Sequence, residues 1–196
     1  MSLPKAEHTS RGWRIDAIAS DFALEDVWAL PTPGGPGDFP RLVALMASFD
    51  PAKSSSAASH TLFAPRWKLG ALLGWDDEDG ATAGSDRPTL RDRLPADLRG
   101  TASSAEFDAL PFTPLYGTDD EWAAEVANRT VHGVLHLGWV ADATQPGGYR
   151  GQMAVLVKRN GLLGAAYMAA ITPFRQLIVY PQMLRDVGRR WNRGAI

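Results

Sequence analysis

The sequence VHGVLHLGWV at residues 131–140 decides the fold class, because its residues alternate between two kinds of position. The odd-numbered positions are apolar or glycine: Val131, Gly133, Leu135, Leu137 and Trp139. The even-numbered positions include two histidines, His132 and His136. Because side chains alternate between the two faces of a β-strand, this period of two is typical of a strand with one face against a core. We therefore predict a strand over 131–140 whose odd-numbered side chains point inward.

Two further alternating runs follow, and each comes after a turn signal. The turn QPGG precedes a run at 149–158 whose odd-numbered residues are mostly apolar. The dipeptide Asn-Gly at 160–161, which favours tight turns, precedes a third run at 164–172. The sequence thus predicts three consecutive antiparallel strands, over 131–140, 149–158 and 164–172.

The C-terminal segment 173–191 has the pattern of an amphipathic helix. Thr172 is a capping residue, and Pro173 stands at the first helical position, where proline is favoured. One stripe of the helix is largely apolar: Leu177, Tyr180, Pro181, Leu184, Gly188 and Trp191. The opposite side is polar: Arg175, Gln182, Asp186, Arg189 and Arg193. We predict a long helix that lies across the sheet and is kinked at Pro181.

The beginning of the chain has weaker signals. Residues 1–12 are polar and without pattern, so we expect a mobile tail ahead of a single domain over 13–193. Residues 13–17 alternate like a strand, and the apolar run that follows is interrupted by Glu25 and Asp26.

Two or three short helices are predicted in the N-terminal half. Asp38 precedes a helical pattern at 39–49, and a second helical pattern spans 60–75. The stretch 76–88 is acidic and contains glycine, which predicts a flexible surface loop. A four-residue spacing of leucines over 90–98 indicates a further short, interrupted helix.

The segment 119–128 fits two kinds of secondary structure. Thr118 and Glu121 have the spacing of a capping box, which favours a helix through Ala127. Alternation of apolar residues from Trp122 to Val126 favours a strand instead.

The composition excludes several classes of function. The 196 residues include 20 Lys+Arg and 22 Asp+Glu, a net charge of −2, without the basic excess expected of a nucleic-acid-binding protein. The chain has no cysteine, which excludes disulfides, thiolate zinc sites, iron–sulfur clusters and cysteine nucleophiles. No apolar stretch is long enough for a membrane span and no secretory signal is recognisable, so we expect a cytoplasmic protein.

The pair His132 and His136 is the most suggestive chemical motif. On a helix this spacing would place two imidazoles on one face, as in helical zinc sites. On a strand their Cα atoms lie about 13 Å apart, too far to share one metal ion readily. We therefore predict two histidines on one face of the sheet that make local hydrogen bonds, and no metal or other cofactor. No Gly-x-Ser-x-Gly elbow and no Walker loop occurs.

Several segments resemble a known family. In the C-terminal half they are NRTVHGVLHLGWV, GYRGQMAVLVK and YMAAITPFRQLIVYPQML. In the N-terminal half they are LEDVWALPTPGGPGDFPRLVALMASFDP, RWKLGALLGWDD and PTLRDRLP. From about Trp13 to Trp191 the chain resembles an uncharacterised bacterial family, the domain of unknown function 2867.

The resemblance implies a fold but no catalytic residues. The family is similar to the Bet v 1-like superfamily, which includes START and polyketide-cyclase domains. It implies an α+β helix-grip fold, in which a curved antiparallel sheet surrounds a long C-terminal helix and usually leaves a cavity. It also favours a strand over 121–128. The family has no established catalytic motif to transfer, so function at this level rests on fold analogy.

We expect a ligand-binding site between the sheet and the C-terminal helix. Its predicted wall is formed by six side chains at inward positions: Trp139, Tyr149, Met153, Tyr167, Leu177 and Tyr180. Aromatic rings and a methionine suit a small hydrophobic or amphipathic ligand. The alternatives are an enzyme of polyketide-cyclase or aromatase type, or an interaction protein whose core is filled. A reversed register would turn His132 and His136 inward and favour the enzyme.

Overall fold

The structure is a computed structural model of the chain. It describes residues 1–49, 89–101, 107, 109–127, 131–159 and 175–194. The predicted helix at 60–75, the loop at 76–88 and the strand at 164–172, with Tyr167, lie outside these residues.

Short helices and one sheet make up the described part of the chain. The helices are α1 (Ala6–Thr9), α2 (Arg14–Ile18), α3 (Phe39–Ala47) and α4 (Tyr180–Arg193), with a 3₁₀ turn at Arg91–Arg93 and a π-helical segment at Arg175–Val179. The strands are β1 (Ala23–Ala29), β2 (Thr113–Gly117), β3 (Glu121–Ala127), β4 (Val131–Ala141) and β5 (Tyr149–Arg159). Within the described residues these five strands form one antiparallel sheet in the order β1-β5-β4-β3-β2.

The predicted strands at 131–140 and 149–158 are confirmed as β4 and β5. Their register pairs Leu137 with Met153 and His136 with Ala154, so residues of like parity share a face. The ambiguous segment 119–128 contains β3, so the strand alternative is correct. One half of the predicted capping box is present, since Thr118 Oγ1 accepts the Glu121 N–H at 3.0 Å in the turn between β2 and β3. The Glu121 side chain does not return to Thr118 but accepts the N–H groups of Arg14 and Ile15 at the start of α2.

One face of the sheet, the helix face, is covered by α3 and α4. The odd-numbered side chains of β4 and β5 point to it, as predicted, and join residues of both helices in one apolar cluster. Trp191 of α4 lies in this cluster beside Phe39 and Leu42 of α3. Gly188 permits the close approach of α4, because a Cβ there would lie 3.0 Å from Pro31.

The C-terminal helix differs from a regular kinked helix. Its first described residues form the π-helical segment, which continues directly into α4, and Pro181 is the second residue of α4. Asp186, predicted on the polar side, is buried and bonded to Arg189. Gly194 ends the helix with φ of 64°, a left-handed conformation that glycine adopts without strain.

The opposite face of the sheet, the second face, is also buried. It is covered by α2 and by residues 90–98, whose leucines pack with Ile15 and Ile18 against the even-numbered side chains of β4 and β5. The strand-like alternation at 13–17 is therefore a wrong prediction, since Arg14–Ile18 is helical. One helical turn can place Ile15 and Ile18 on the same side, which a strand would not do.

Residues 1–12, for which the sequence predicts a mobile tail, make defined contacts with the sheet. The Leu3 N–H donates to the Val27 carbonyl at 2.9 Å, and Ser2 pairs with Trp28 alongside β1. His8 of α1 has no exposed surface. Sequence patterns did not reveal these contacts because they join this segment to strands more than twenty residues away. Among the described residues, no helix has the length and apolar character needed to cross a membrane.

Candidate functional site

Four of the predicted wall residues lie together on the helix face. Trp139, Met153 and Tyr180 are buried members of its apolar cluster, with exposed fractions of 4%, 1% and 5%, and the half-buried Tyr149 packs against them. Tyr167 lies outside the described residues.

Leu177 does not belong to this wall as predicted. Its side chain is 75% exposed. Leu177 lies in the π-helical segment, where hydrogen bonds span one residue more than in an α-helix. The rotation per residue is therefore smaller than the prediction assumed, and the apolar stripe of α4 does not extend back to Leu177.

The part of the predicted wall around Trp139 and Tyr149, which we call its outer end, is packed as a protein core. Trp139 and Tyr149 are stacked with ring centroids 6.4 Å apart, and Trp191 lies 6.0 Å from Trp139. The Trp139 Nε1–H donates to the Gly35 carbonyl and the Trp191 Nε1–H donates to the Pro33 carbonyl, each at 2.9 Å. Both indole donors are therefore engaged by the protein itself.

The part of the wall around Tyr180 and Met153, which we call its inner end, contains polar groups, and one of these has no hydrogen-bond partner in the described structure. Asp26 accepts hydrogen bonds from the Tyr180 hydroxyl at 3.1 Å and from the Gln176 amide at 3.0 Å. The Trp28 ring lies 5.0 Å from the Tyr180 ring, and Trp28 pairs with Met153 across the sheet. Trp28 is 8% exposed, yet no atom of the described structure accepts a hydrogen bond from its Nε1–H. A buried donor without an acceptor is costly, and among the described residues the Trp28 Nε1–H is the one unsatisfied buried side-chain group in the apolar cluster of the helix face.

Asp26, Trp28 and Gln176 are not among the predicted wall residues. The available signal is Asp26 itself, an acidic residue that interrupts an otherwise apolar run. In the structure Asp26 is part of β1 and is buried. A buried carboxylate needs partners, and Tyr180 and Gln176 are supplied by a segment about 150 residues away.

The second face contains a group of buried ionisable side chains, centred on Glu121. His136 Nε2 lies 3.2 Å from Glu121 Oε1, and Tyr116 donates its hydroxyl proton to the same oxygen at 2.5 Å. The backbone N–H groups of Arg14 and Ile15 also donate to this carboxylate, each at 3.0 Å. Glu121 therefore satisfies the free N–H groups at the start of α2 and fastens that helix to the sheet.

These contacts determine the ionisation of the group. Burial alone would raise the pKa of Glu121, but the hydrogen bonds from His136, Tyr116 and the Arg14 amide outweigh it and lower the pKa to about 2. Burial, together with the nearby Glu121 charge, raises the pKa of Tyr116. At neutral pH the carboxylate is therefore charged and the phenol keeps its proton.

Two more side chains continue this group towards the solvent. His8 Nε2 lies 3.2 Å from His136 Nδ1, and His8 Nδ1 lies 3.4 Å from Asp16 Oδ1. Burial, reinforced by the charge of His136, lowers the pKa of His8 to about 4, and burial raises the pKa of Asp16. The Asp16 side chain is 33% exposed, whereas His8 and His136 are fully buried. We call Asp16, His8, His136 and Glu121 the histidine–carboxylate array.

A second Glu–His pair repeats this arrangement four residues further along the same strands. His132 Nε2 lies 2.7 Å from Glu125 Oε2, and Glu125 also accepts the Leu90 N–H at 2.9 Å and the Thr89 hydroxyl at 2.5 Å. Burial opposes the charge of Glu125, but the hydrogen bonds from His132 and Thr89 lower its pKa. The prediction that the two histidines lie on one face and make local hydrogen bonds is confirmed. Among the described residues, no three His, Asp or Glu side chains are arranged to hold a metal ion.

Comparison with known families identifies residues 18–182 as a match to the family "Protein of unknown function (DUF2867)". The chain belongs to this family. The match covers β1 to the start of α4, and so includes both faces of the sheet. No curated protein and no solved structure matches the sequence.

Proposed function

We propose that this DUF2867 member is a binding module for a small hydrophobic or amphipathic molecule, held between the sheet and the C-terminal helix of a Bet v 1-like, helix-grip domain. The observation that carries the proposal is the buried Trp28 indole N–H without an acceptor, beside Tyr180 and Met153. An antiparallel sheet with a C-terminal helix across one face is consistent with that fold. The π-helical segment ahead of α4 is a further support, because such segments are frequent at functional sites.

The polar groups restrict the chemistry of the ligand. Trp28 offers one hydrogen-bond donor, so the ligand needs an acceptor such as a carbonyl or hydroxyl oxygen. The buried carboxylate of Asp26, which is bonded to Tyr180 close by, disfavours a ligand with a negative charge at that end. Apolar side chains such as Met153 would contact the remainder of the ligand. We propose a largely apolar ligand with a neutral oxygen at its inner end.

An enzyme that moves protons on such a ligand is the second candidate. It is favoured by the contact between the Asp26 carboxylate and the Tyr180 hydroxyl, an acid–base pair at the inner end of the same wall. A protein with a filled core is the third, favoured by the engaged indole groups of Trp139 and Trp191.

Binding is tested with native mass spectrometry of the purified protein, followed by titration with Nile red, a neutral apolar fluorophore that carries a carbonyl. We expect saturable binding in the micromolar range, equivalent to about −8 kcal/mol. Trp28→Phe should weaken Nile red binding about tenfold, because it removes the donor and keeps most of the ring. If the protein neither bound Nile red nor carried a co-purifying small molecule, the filled-core alternative would be established.

Trp191→Phe is the matched control, since its indole N–H already donates to Pro33 and its ring lies at the outer end. It should leave the affinity for Nile red within about twofold of the unsubstituted protein. Equal losses in both variants would mean that the binding does not involve the Trp28 donor. Turnover of a co-purified ligand, abolished in Tyr180→Phe, would establish the enzyme instead.

A further inference from the structure

Among the described residues, four buried side-chain atoms have no hydrogen-bond partner in the protein. Trp28 Nε1 lies on the helix face, and the other three are His8 Nδ1, Trp13 Nε1 and Gln152 Oε1. An unsatisfied buried polar group is costly, and native proteins contain few of them. Three such groups at one place therefore indicate a binding site for the molecule that satisfies them.

These three groups meet around Gly138 of β4, on the second face of the sheet. Trp13 covers the glycine, because a Cβ there would lie 3.3 Å from Trp13 Cε2, the carbon bonded to Nε1. Gly138 pairs with Gln152 of β5, so the Gln152 side chain lies beside the glycine on the same face. The Gln152 Nε2–H donates to the carbonyl of Glu7 at 3.4 Å, next to His8 in the chain. The His8 ring lies 6.4 Å from the Trp13 ring, and we call this place the Gly138 site.

The histidine–carboxylate array decides that His8 Nδ1 is an acceptor. Glu121 is charged at neutral pH, so His136 directs its Nε2–H to Glu121 Oε1. A neutral His136 then has a lone pair on Nδ1, to which His8 donates its own Nε2–H. Burial lowers the pKa of His8 to about 4, so the His8 ring is neutral and its Nδ1 keeps a lone pair. Asp16 Oδ1 lies 3.4 Å from this nitrogen but forms no hydrogen bond with it.

The other two groups of the Gly138 site have fixed roles. The Trp13 Nε1–H can only donate, and Gln152 Oε1 can only accept. The orientation of the Gln152 amide is determined, because its nitrogen faces a carbonyl oxygen of Glu7. The site therefore presents one donor and two acceptors. It disfavours a cation, which the indole N–H would repel, and an anion, which the two acceptors would repel.

We propose that the Gly138 site binds one water molecule, which accepts a hydrogen bond from Trp13 Nε1–H and donates to His8 Nδ1 and Gln152 Oε1. About three hydrogen bonds are typical of a buried water. The Trp13 ring is packed directly on the strand, since its carbons lie 2.7 and 2.8 Å from the position of a Cβ on Gly138, which disfavours a larger molecule. The water joins the N-terminal segment, residues 1–13, to β5 and completes the polar contacts of the second face.

A crystal structure of the protein tests the site directly. We expect an ordered water oxygen within hydrogen-bond distance of His8 Nδ1, Trp13 Nε1 and Gln152 Oε1. If these atoms were bonded to protein groups instead, with no water among them, the proposal would be overturned.

NMR tests for the same water in solution. A firmly held water should give the Trp13 Nε1–H cross-peaks at the water frequency, with opposite signs in laboratory-frame and rotating-frame experiments, which distinguishes a dipolar contact from proton exchange. Trp139 and Trp191 are the matched controls, because their indole N–H groups donate to carbonyls of the protein. These two should show no such cross-peaks. Their absence at Trp13 as well would contradict a bound water.

The proposed roles also determine the tautomer of His8. At neutral pH, ¹⁵N NMR of labelled histidines should show His8 with a proton on Nε2 alone. A proton on Nδ1 would make this nitrogen a donor towards Asp16, and the arrangement around the water would then be wrong.

Gln152→Met removes one acceptor of the water and keeps the length of the side chain. The dipolar cross-peak of Trp13 should fall at least about twofold, because a water with fewer partners is held less firmly. Gln145→Met, in the turn between β4 and β5, is the matched control and should leave the cross-peak unchanged. Equal cross-peaks in both variants would mean that Gln152 does not hold the water. The measurements on the unsubstituted protein do not depend on whether Gln152→Met folds.

Discussion

The two faces of the sheet are buried to similar extents but by different means. On the helix face, apolar and aromatic side chains such as Leu137 and Met153 pack against α3 and α4. On the second face, Glu121, Glu125, His132 and His136 are buried among apolar residues and bonded to one another and to the covering segments. A hydrophobic pattern therefore identifies the first face, whereas the second is recognised only once the partners of its polar side chains are known.

This difference has a physical consequence for stability. Apolar contacts are non-directional, so substitutions on the helix face cost the area and volume they remove. Buried ionisable groups are stable only while every partner is present, because each unpartnered charge carries a large desolvation cost. The second face should therefore respond more strongly to loss of a single polar atom and to pH.

The largest effect should follow Glu121→Ala. The substitution leaves the Arg14 and Ile15 amides, the Tyr116 hydroxyl and His136 without their common acceptor. We expect a loss of about 3–5 kcal/mol in the free energy of unfolding, the range for breaking a buried charged network. Urea denaturation followed by circular dichroism measures it.

The control for Glu121→Ala is Asp97→Ala, which removes an exposed partner of Arg14. Exposed ion pairs contribute little to stability, so this variant should unfold at nearly the same urea concentration as the unsubstituted protein. If the two variants lost equal stability, the network on the second face would not hold α2 as described.

Acid should weaken the protein in two stages. His8 has a pKa of about 4 in the folded protein and an ordinary value of 6.5, so the unfolded chain binds more protons between these values. Its contribution is complete above pH 6.5 and is lost as the pH falls towards 4, a decrease of up to about 3 kcal/mol. Glu121, with a pKa of about 2 against 4.5, adds a further loss below pH 4.5.

Urea midpoints at a series of pH values measure this dependence. His8→Gln should remove the stage between pH 6.5 and 4 and leave the stage below pH 4.5. A stability that stays constant from pH 7 to 4 in the unsubstituted protein would contradict the burial of a neutral His8.

A smaller effect should distinguish two glycines of β4. Gly138→Ala places a methyl group 2.7 Å from the Trp13 ring on the second face, and such overpacking costs about 1–3 kcal/mol. Gly133 has an odd number and so lies on the helix face. A Cβ added there in Gly133→Ala would lie 3.5 Å from Val126 Cγ1, an ordinary van der Waals distance. It should be neutral or stabilise by up to about 1 kcal/mol, since alanine is the less flexible residue. Thermal unfolding measures the stability of both variants. If Gly133→Ala were the more destabilised of the two, Trp13 would not pack against Gly138 as described.

The smallest effect should come from Leu177→Ser. Because this side chain is exposed, the substitution should change the free energy of unfolding by less than about 0.5 kcal/mol. Leu137→Ser, at a fully buried position of the helix face, is the contrasting variant and should be strongly destabilising. Urea denaturation measures both variants. A large loss of unfolding free energy in Leu177→Ser would mean that Leu177 is buried in a continuous apolar stripe, as the sequence predicts.

Elements with a strong local pattern were predicted well, and elements held by distant partners were not. The period of two placed β4 and β5 and turned Trp139 and Met153 to the helix face, because neighbouring residues alone decide that alternation. The helix predicted at 39–49 was found at Phe39–Ala47 for the same reason. The alternation at 13–17 failed because α2 is a short helix whose first amides are capped by Glu121, over 100 residues away.

For the candidate site, the sequence alone determined which side chains of the sheet share a face, and hence that Trp139, Tyr149 and Met153 lie together with Tyr180. The sequence did not determine which segments cover the even-numbered side chains of β4. The partners of His132 and His136 could therefore not be predicted. Only the tertiary structure decided that Asp26 meets Tyr180, that Trp28 has a buried donor left over, and that His8 reaches His136. The reason is that periodicity records burial of a face, whereas the pairing of polar groups depends on segments that meet only after the chain has folded.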